Sequence, residues 1–568
     1  MDPFAILSAI ETCYSLGTKM VEICESWKNA NEEIQRCVII VESAWDRTRR
    51  QAEFMGRIVP IMDDHLSRIN DDLLRQLSIC LTLAINTLET VIRKESLARP
   101  SLFGFGSRAK KAAWVWKKDA IEGIISDLEV WQRRFDPSWF LLMKIADPVV
   151  DSELAKARVT EARTRSLPTA AKQPFAVAAG LRHVLSPKPE QTKGVFLPET
   201  PMEFRSIPFS DVKTGRLVGS DTRWYIVDTI EVGAAARVRD IARDVGVLAV
   251  KLSRADPLAF GLLNCKGVVA VPRQGRHPQA HPPRPVSSHP NQHNYTCFRF
   301  VFRIPEGMEV LRSLRHLLLN SDLHISLSRK VHIARELAKA VNYVHTFAFV
   351  HKNVRPESVL CFEENQRAST SSSSSRSHAF LVGFDAFRAT AAETIMAGDM
   401  RWDRNVYRHP LRQGDDPSEK YRMQHDIYSL GVCLLEIGLW ESFVEYTTED
   451  EMAGPPQPKL GSTYVHFQTW LRENPKKTRS AAWRDDGAPR FLDDVAFRLK
   501  DYLVEQARTR LAPRMGHKYE RVVVSCLTCL DEGNEDFGGA EVANASDDNG
   551  AALCFIEGVM KHLDEISV

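Results

Sequence analysis

The chain has 568 residues, of which 44% are hydrophobic and 26% charged, a composition that excludes disorder or fibre formation along most of its length and calls for more than one hydrophobic core. A formal net charge of +2 gives no whole-chain reason to bind nucleic acid or an anionic membrane, so any such affinity has to be local. Eleven cysteines are scattered without a metal-ligand spacing, and Cys13, Cys24 and Cys80 fall on apolar helical faces, which suits free thiols in a reducing cytosol. The start, Met1-Asp2-Pro3, has no basic leader, and no apolar run is long enough to span a bilayer, so a soluble chain is expected.

From Phe4 to about Met143 apolar residues recur at alternating steps of three and four, which predicts amphipathic helices. A first helix carries Ile6, Ile10, Cys13, Gly17, Met20 and Cys24. A second carries Ile34, Val38, Val41, Trp45, Thr48, Ala52, Met55 and Val59, with Asn31 as its N-cap. A third carries Leu74, Leu77, Leu81, Ala84, Leu88 and Val91, and a fourth Trp114, Ile121, Ile124, Leu128 and Trp131. Four such stripes predict a helical bundle. Between the third and fourth, basic residues Arg108, Lys110, Lys111, Lys117 and Lys118 alternate with Phe103, Phe105, Trp114 and Trp116. Two readings stand: a surface that meets anionic headgroups through its cations and rings, or a solvated loop and helix start whose tryptophans are core anchors.

Met1-Asp2-Pro3-Phe4, this periodicity, and the closing segment Asp127-Leu-Glu-Val-Trp131-Gln-Arg-Arg-Phe135-Asp-Pro-Ser-Trp139 resemble the N-terminal HeLo-like, or prion-inhibition and propagation, domain of fungal cell-death proteins. The resemblance covers roughly the first quarter of the chain. It implies a four-helix bundle over residues 1–148 that is released to attack membranes, as in the mixed lineage kinase domain-like proteins.

Residues 149–198 are rich in Arg, Thr and Ala and contain Pro168, Pro174, Pro187 and Pro189, which predicts a linker. A short helix near Val149 to Arg165 either braces the neighbouring domain or lies in a solvated connector.

Downstream, His351-Lys-Asn353-Val-Arg355-Pro-Glu357-Ser358-Val-Leu360 resembles the protein-kinase catalytic loop, His-Arg-Asp-Leu-Lys-Pro-Glu-Asn-Ile-Leu. Gly383-Phe384-Asp385 stands where kinases carry Asp-Phe-Gly, Tyr407-Arg-His409-Pro410 near the Ala-Pro-Glu position, and His425-Asp426-Ile-Tyr-Ser-Leu-Gly431 resembles the Asp-x-x-Ser-x-Gly helix. The fold class expected is therefore α+β: an N-terminal all-α helical bundle followed by a two-lobed protein-kinase-like domain at 199–568, with an N-lobe at about 199–305, a C-lobe at about 306–568, and insertions at 272–294 and 366–378. Asp426 is its structural C-lobe residue.

Departures from the motif decide the expected chemistry. The kinase base is an aspartate, and Asn353 is an amide that takes no proton near neutral pH. Ser358 stands for the metal-binding asparagine and Gly383 for the metal-binding aspartate, while Asp385 lies two positions late. No catalytic residue is thus expected in the loop of His351, Asn353, Arg355 and Ser358. Thr214-Gly215-Arg216 and Val218-Gly219-Ser220 make no GxGxxG phosphate cradle. Val247-Leu-Ala249-Val250-Lys251 imitates the strand with the phosphate-binding lysine, but Ile241, Val245, Leu248 and Leu252 repeat at helical steps through it. On this reading it is a helix, Lys251 is a surface residue, Trp224 to Ile230 is the third strand, Phe260–Cys265 and Cys297–Phe302 are the next two, and Pro305 to Met308 is the hinge. Lys251, Gly383, Phe384 and Asp385 are the only nucleotide-site candidates; the resemblance leaves room for residual ATP binding without efficient magnesium use, and no metal or other cofactor is expected. The tail places Phe555, Val559, Leu563 and Ile566 on one helical face.

The pairing of modules resembles mixed lineage kinase domain-like executors and their fungal counterparts. It implies a signalling pseudokinase that controls a membrane-active bundle in regulated cell death or heterokaryon incompatibility. The partners implied are an upstream activating protein, further copies of the chain when active, and an anionic membrane, with no nucleic acid. The location implied is cytoplasmic, with relocation to the plasma membrane. The alternatives are a protein kinase with a degenerate ATP site and a non-enzymatic scaffold.

Overall fold

A computed structural model describes residues 3–29, 31–97, 106–145, 147–163, 174–185, 189–218, 223–232, 238–273, 295–320, 325–364, 377–384, 387–389, 401–414, 417, 419–447, 457–474, 482–483, 489–490, 494–537 and 548–567. The fold is mixed α and β, with a helical N-terminal region followed by a region that combines sheet and helices. It divides into two compact units, Met1–His183 and Val184–Val568.

In the first unit α1 (Pro3–Glu25), α2 (Glu32–Ile58), α3 (Asp64–Leu97) and α4 (Gly106–Leu142) are the four helices that the periodicity predicts. Asn31 caps α2, its side chain accepting from Glu33 N at 2.6 Å, and Glu32 and Glu33 add negative charge to the first turn. The stripe Ile34, Val38, Val41, Trp45, Thr48, Ala52 and Met55 is buried as read. Gly17 lets α1 approach it, because a Cβ there would fall 2.2 Å from the Trp45 ring. Toward its end α4 passes through Pro137 and buries Trp131, Phe135 and Trp139. Trp131 Nε1 donates to Leu73 O at 2.9 Å and Ser138 Oγ to Asn70 Oδ1 at 3.0 Å, while Trp139 Nε1 is buried without a hydrogen-bond partner.

Two further helices, α5 (Pro148–Arg163) and α6 (Pro174–Leu185), occupy the stretch that composition reads as linker. Phe175 of α6 packs edge-on against Trp139 and Phe54, with centroids 5.4 and 5.9 Å apart. Arg182 then donates to the carbonyls of Met143, Ile145 and Asp147, the end of the bundle's last helix and the turn after it, and pairs with Asp151 at 2.7 Å. Its hydrogen bond holds the Asp151 carboxyl below the usual carboxylate range. Phe175 and Arg182 thus fix α6, a short helix whose periodicity is weak, and α5 covers most of the stretch where a short helix is expected.

The second unit opens with α7 (Pro189–Gly194) and β1 (Phe196–Leu197). Then β2 (Met202–Ser206), β3 (Lys213–Leu217) and β4 (Trp224–Glu231) form an antiparallel meander. Next come α8 (Val238–Ser253), the one-turn α9 (Pro257–Phe260), β5 (Cys265–Pro272) and β6 (Tyr295–Arg303). The six strands run in the order β1-β5-β6-β4-β3-β2. Register fixes two faces: Ile226, Asp228 and Ile230 pair with Phe302, Phe300 and Phe298 on one, and Tyr225, Val227 and Thr229 with Arg303, Val301 and Arg299 on the other. The helical reading of 247–252 holds. The strand expected at Phe260–Cys265 does not: Asp256 caps a helical turn that ends with Gly261 at φ +66, where a Cβ would lie 2.9 Å from Glu336 O, and the strand begins at Cys265.

Beyond Pro305 the unit is mainly helical. It contains β7 (Met308–Ser313), α10 (Leu314–Leu319), α11 (Leu327–Thr346), β8 (Phe349–Val350), β9 (Val359–Glu364) and β10 (Ser377–Leu381). The flanks of the serine run, β9 and β10, pair antiparallel, while most of that run and of the 272–294 insertion lies outside the described residues. Then follow β11 (Arg388–Ala389), paired with β8, α12 (Trp402–Asn405) and α13 (Met423–Leu439), all of whose residues are buried. The tail residues Phe555, Val559, Leu563 and Ile566 are buried, as their spacing predicts.

Candidate functional site

Two residues in the left-handed region, Ala348 at φ 59 and Lys352 at φ 66, bracket β8 and turn the chain into the loop 351–358. Asp426, at the start of α13 and fully buried, fixes that turn by accepting from His351 N at 2.7 Å, Lys352 N at 2.8 Å, Tyr421 OH at 2.7 Å and His345 Nε2 at 3.0 Å. Burial works to raise its pKa, but the His345 hydrogen bond, the nearby imidazoles and the backbone donors outweigh it and hold the carboxyl below its ordinary value. Burial pushes His351 down to about 4, so this imidazole is neutral near neutral pH.

The Asn353 amide is engaged at both ends. Its Nδ2 donates to Gly383 O at 3.2 Å and its Oδ1 accepts from Arg355 Nε at 2.8 Å. Ser358 Oγ lies 2.7 Å from Asn353 O and 2.8 Å from Arg355 O and accepts from Arg355 N at 3.2 Å, closing the loop on itself. Gly383 has φ +83, and a Cβ there would fall 2.9 Å from Ser358 Cβ and 3.2 Å from Asn353 Nδ2. Asp228, buried in β4, accepts from Gly383 N at 2.9 Å and Phe384 N at 2.7 Å. Phe384 is buried with its ring 4.8 Å from that of His351. Asp385 lies outside the described residues.

Lys251 corrects an expectation. It is buried rather than on the surface: its Nζ donates to Phe347 O and stands 4.7 Å from the centre of the Phe349 ring. A lysine on the inner face of an amphipathic helix reads as surface in the sequence, because the carbonyl that receives it comes from a distant segment. The sequence gives a weak signal for Asp228, an acid in the middle of the mostly apolar run 224–230.

The turn between β2 and β3 docks onto the same loop. Ser210 Oγ donates to Glu357 O at 2.7 Å, and the Asp211 carboxylate pairs with the Arg355 guanidinium. Below lies an ion network that the motifs did not reveal. Arg315, fully buried, pairs with Glu357 at 3.0 Å and Glu436 at 2.9 Å and donates to Tyr407 OH, while Tyr446 OH donates to Glu357 at 2.8 Å. Burial acts to raise Glu357, yet Arg315 and Arg355 hold it at about 2; Glu436 is raised by its burial, which Arg315 only partly offsets.

Among the described residues no His, Cys, Asp and Glu side chains group so as to hold a metal ion, and no helix is long and apolar enough to cross a membrane. The sequence holds one CxxC pair, Cys526 and Cys529; both thiols are free and buried, and desolvation pushes Cys529 up to about 12. Of the basic candidates on α4, Lys117 pairs with Glu95 at 2.7 Å beside the Trp27 ring, and Lys118 pairs with Glu33 at 3.4 Å beside Trp114. The side chains of Arg108, Lys110 and Lys111 lie outside the described residues. The sequence matches no protein-family model and no curated protein.

Proposed function

We propose that the chain is a signalling pseudokinase, in which a kinase-like module that transfers no phosphate controls an N-terminal bundle acting on anionic membranes. The observation that carries the reading is the wiring of the loop 351–358 to Gly383. Where phosphoryl transfer needs a base there is an amide bonded at both ends, and where it needs a metal-binding acid there is a glycine with its Cβ space filled. The meander β2–β4, followed by α8 and the pair β5–β6, supports the kinase-like reading of the motifs. On that reading β4 is the strand that would supply the phosphate-binding lysine, and its inward group at Gly383 is the Asp228 carboxylate, which repels phosphate. Asp211 pairs with Arg355, so that this guanidinium is already engaged by a carboxylate.

For the bundle, support comes from the resemblance of its sequence and from exposed Phe4 and Tyr14 on α1 and Ile79 and Leu83 on α3, apolar surface for a membrane or a further copy. Lys117 and Lys118 would leave Glu95 and Glu33 on meeting headgroups. The test is leakage of dye from anionic liposomes by residues 1–183 against the full chain. The fragment has to run to His183, because a cut after Val150 removes Phe175 and Arg182. Leakage by the fragment and restraint in the full chain is expected; leakage by neither sinks the membrane reading and leaves a scaffold. Phosphate transfer from labelled ATP by the full chain, abolished by Asn353→Ala, would overturn the pseudokinase reading.

A further inference from the structure

The face of the six-stranded sheet opposite Asp228 carries a pocket of about 210 Å³, lined by Leu197, Met202, Leu217, Tyr225, Val269 and Val301, with Lys266 at its side. Strand register explains the lining. Val227 pairs with Val301 and Thr229 with Arg299, while Leu197 and Arg299 both pair with Val269, and Met202 pairs with Leu217, so side chains from all six strands share this face. Leu197, Met202 and Leu217 are only half-buried, so the pocket opens outward.

The charge on the strands around it is mainly positive, with Glu199, exposed between the lining residues Pro198 and Thr200, as an exception. Lys266 Nζ donates to the Tyr225 hydroxyl at 3.0 Å and stands 4.3 Å from the ring centre, without a carboxylate partner among the described residues. Arg299, against the Phe204 ring at 5.3 Å, Arg303, bonded to Asn264 Oδ1 at 2.5 Å, and Lys213 share the face and likewise have no described carboxylate partner. Glu231, at the far end of β4, is the acid that the register places on the same face. By contrast Glu203 on the other face is paired with Arg205 and Arg216.

We infer that this pocket binds a free short-chain carboxylate, its head on Lys266 Nζ and the Tyr225 hydroxyl and its tail among Leu197, Met202, Leu217, Val269 and Val301. The volume lies below the roughly 300–1,000 Å³ of drug-sized ligand sites, which restricts the occupant to a short chain. A neutral chain of the same length lacks the charge-assisted bond, and a cationic one meets repulsion from Lys266. The site is independent of the kinase-like reading, because it lies on the sheet face away from Gly383.

The test is calorimetric titration of the full-length chain with sodium octanoate, octan-1-ol and octylamine. Octanoate is expected to bind, octanol at least about tenfold more weakly, and octylamine not at all. Lys266→Gln should weaken octanoate by about tenfold while leaving octanol unchanged. Leu217→Trp, at a half-buried position, should block both ligands by filling the pocket. Circular dichroism confirms that each variant is folded. Equal affinity for octanoate and octanol, octanoate binding that survives Leu217→Trp, or no octanoate binding at millimolar concentration would each overturn the assignment.

Discussion

In Met1–His183 the buried polar groups are mostly uncharged, Thr48, Gln51, Ser67, Asn70 and Ser138, with Asp71 the exception, and the interior is otherwise apolar and aromatic. In Val184–Val568 the interior holds Asp228, Arg315, Arg355, Glu357, Asp426 and Glu436, together with His345, His351, His409 and His425. Apolar packing tolerates partial loss, whereas a buried charge that loses its partner keeps its full desolvation penalty. The second unit is therefore the one in which a single polar change has the larger structural consequence. It is also the unit that holds the loop 351–358, through Asp426 and Glu357.

The sharpest way to break this comparison is to remove one partner of the ion network. Glu436→Ala leaves Arg315 and the Tyr407 hydroxyl short of a partner and should cost about 3–5 kcal/mol, seen as a drop in the thermal transition of the second unit alone. Trp139→Ala, which opens a cavity among Phe54, Phe135 and Phe175, should cost a similar ~3–5 kcal/mol but lower only the transition of the first unit. Calorimetry that shows both transitions moving together in either variant would contradict two independent cores.

The first core was legible in the sequence because its stabilisation follows helical periodicity: the stripe from Ile34 to Met55 predicts both α2 and what it buries. The loop 351–358 and Gly383 were legible through motif spacing, and the structure brings Asn353, Ser358 and Gly383 together. Arg315, Asp228 and Lys251 were not, because each acts through a partner far along the chain, Glu436, Gly383 or the Phe347 carbonyl, and no local pattern records such pairs. Arg182 was missed for the same reason. Its carbonyl partners lie more than 30 residues upstream, across a segment rich in proline and alanine.

Acid should separate the units next. His351 and His425 titrate in the fold at about 4 and about 3, below the ordinary 6.5, so as pH falls the unfolded chain takes up their protons first. Their contribution is complete above pH 6.5 and is lost progressively below it. Glu357, held at about 2 against an ordinary 4.5, adds a further loss as pH falls below 4.5. Lowering the pH from about 7 to about 5 should thus depress the transition of the second unit and hardly move the first. Scanning calorimetry at the two values checks this, and equal shifts would contradict it.

A smaller effect probes whether the site can be repaired. Gly383→Ala places a Cβ against Ser358 and Asn353 at φ +83 and should cost about 1–3 kcal/mol. On the pseudokinase reading proposed above, supplying both kinase acids with Asn353→Asp and Gly383→Asp meets the same crowding, and the aspartate at 353 has no hydrogen to donate to Gly383 O. The double variant should therefore be less stable than the parent and still transfer no phosphate from ATP. A gain of transfer would mean that only the side chains, and not the backbone path, had been lost.

The smallest effect tests the N-terminal side of the comparison where no packing is involved. Asn31 sits at the start of α2 with extended backbone, φ −171 and ψ 160, and its side chain satisfies Glu33 N, one of the four donors that a helix start leaves without a partner. Alanine at this position keeps the backbone and removes only that acceptor, so the cost should be about 1 kcal/mol. Aspartate should retain stability, because it accepts the same bond and its charge favours the helix N-terminus, although Glu32 and Glu33 beside it oppose a third negative charge. Asn31→Ala and Asn31→Asp, measured by the midpoint of the first unit's transition, should differ by most of that kilocalorie. Equal midpoints would mean that water serves Glu33 N as well as Asn31 does, and that the first unit depends on its apolar stripe alone.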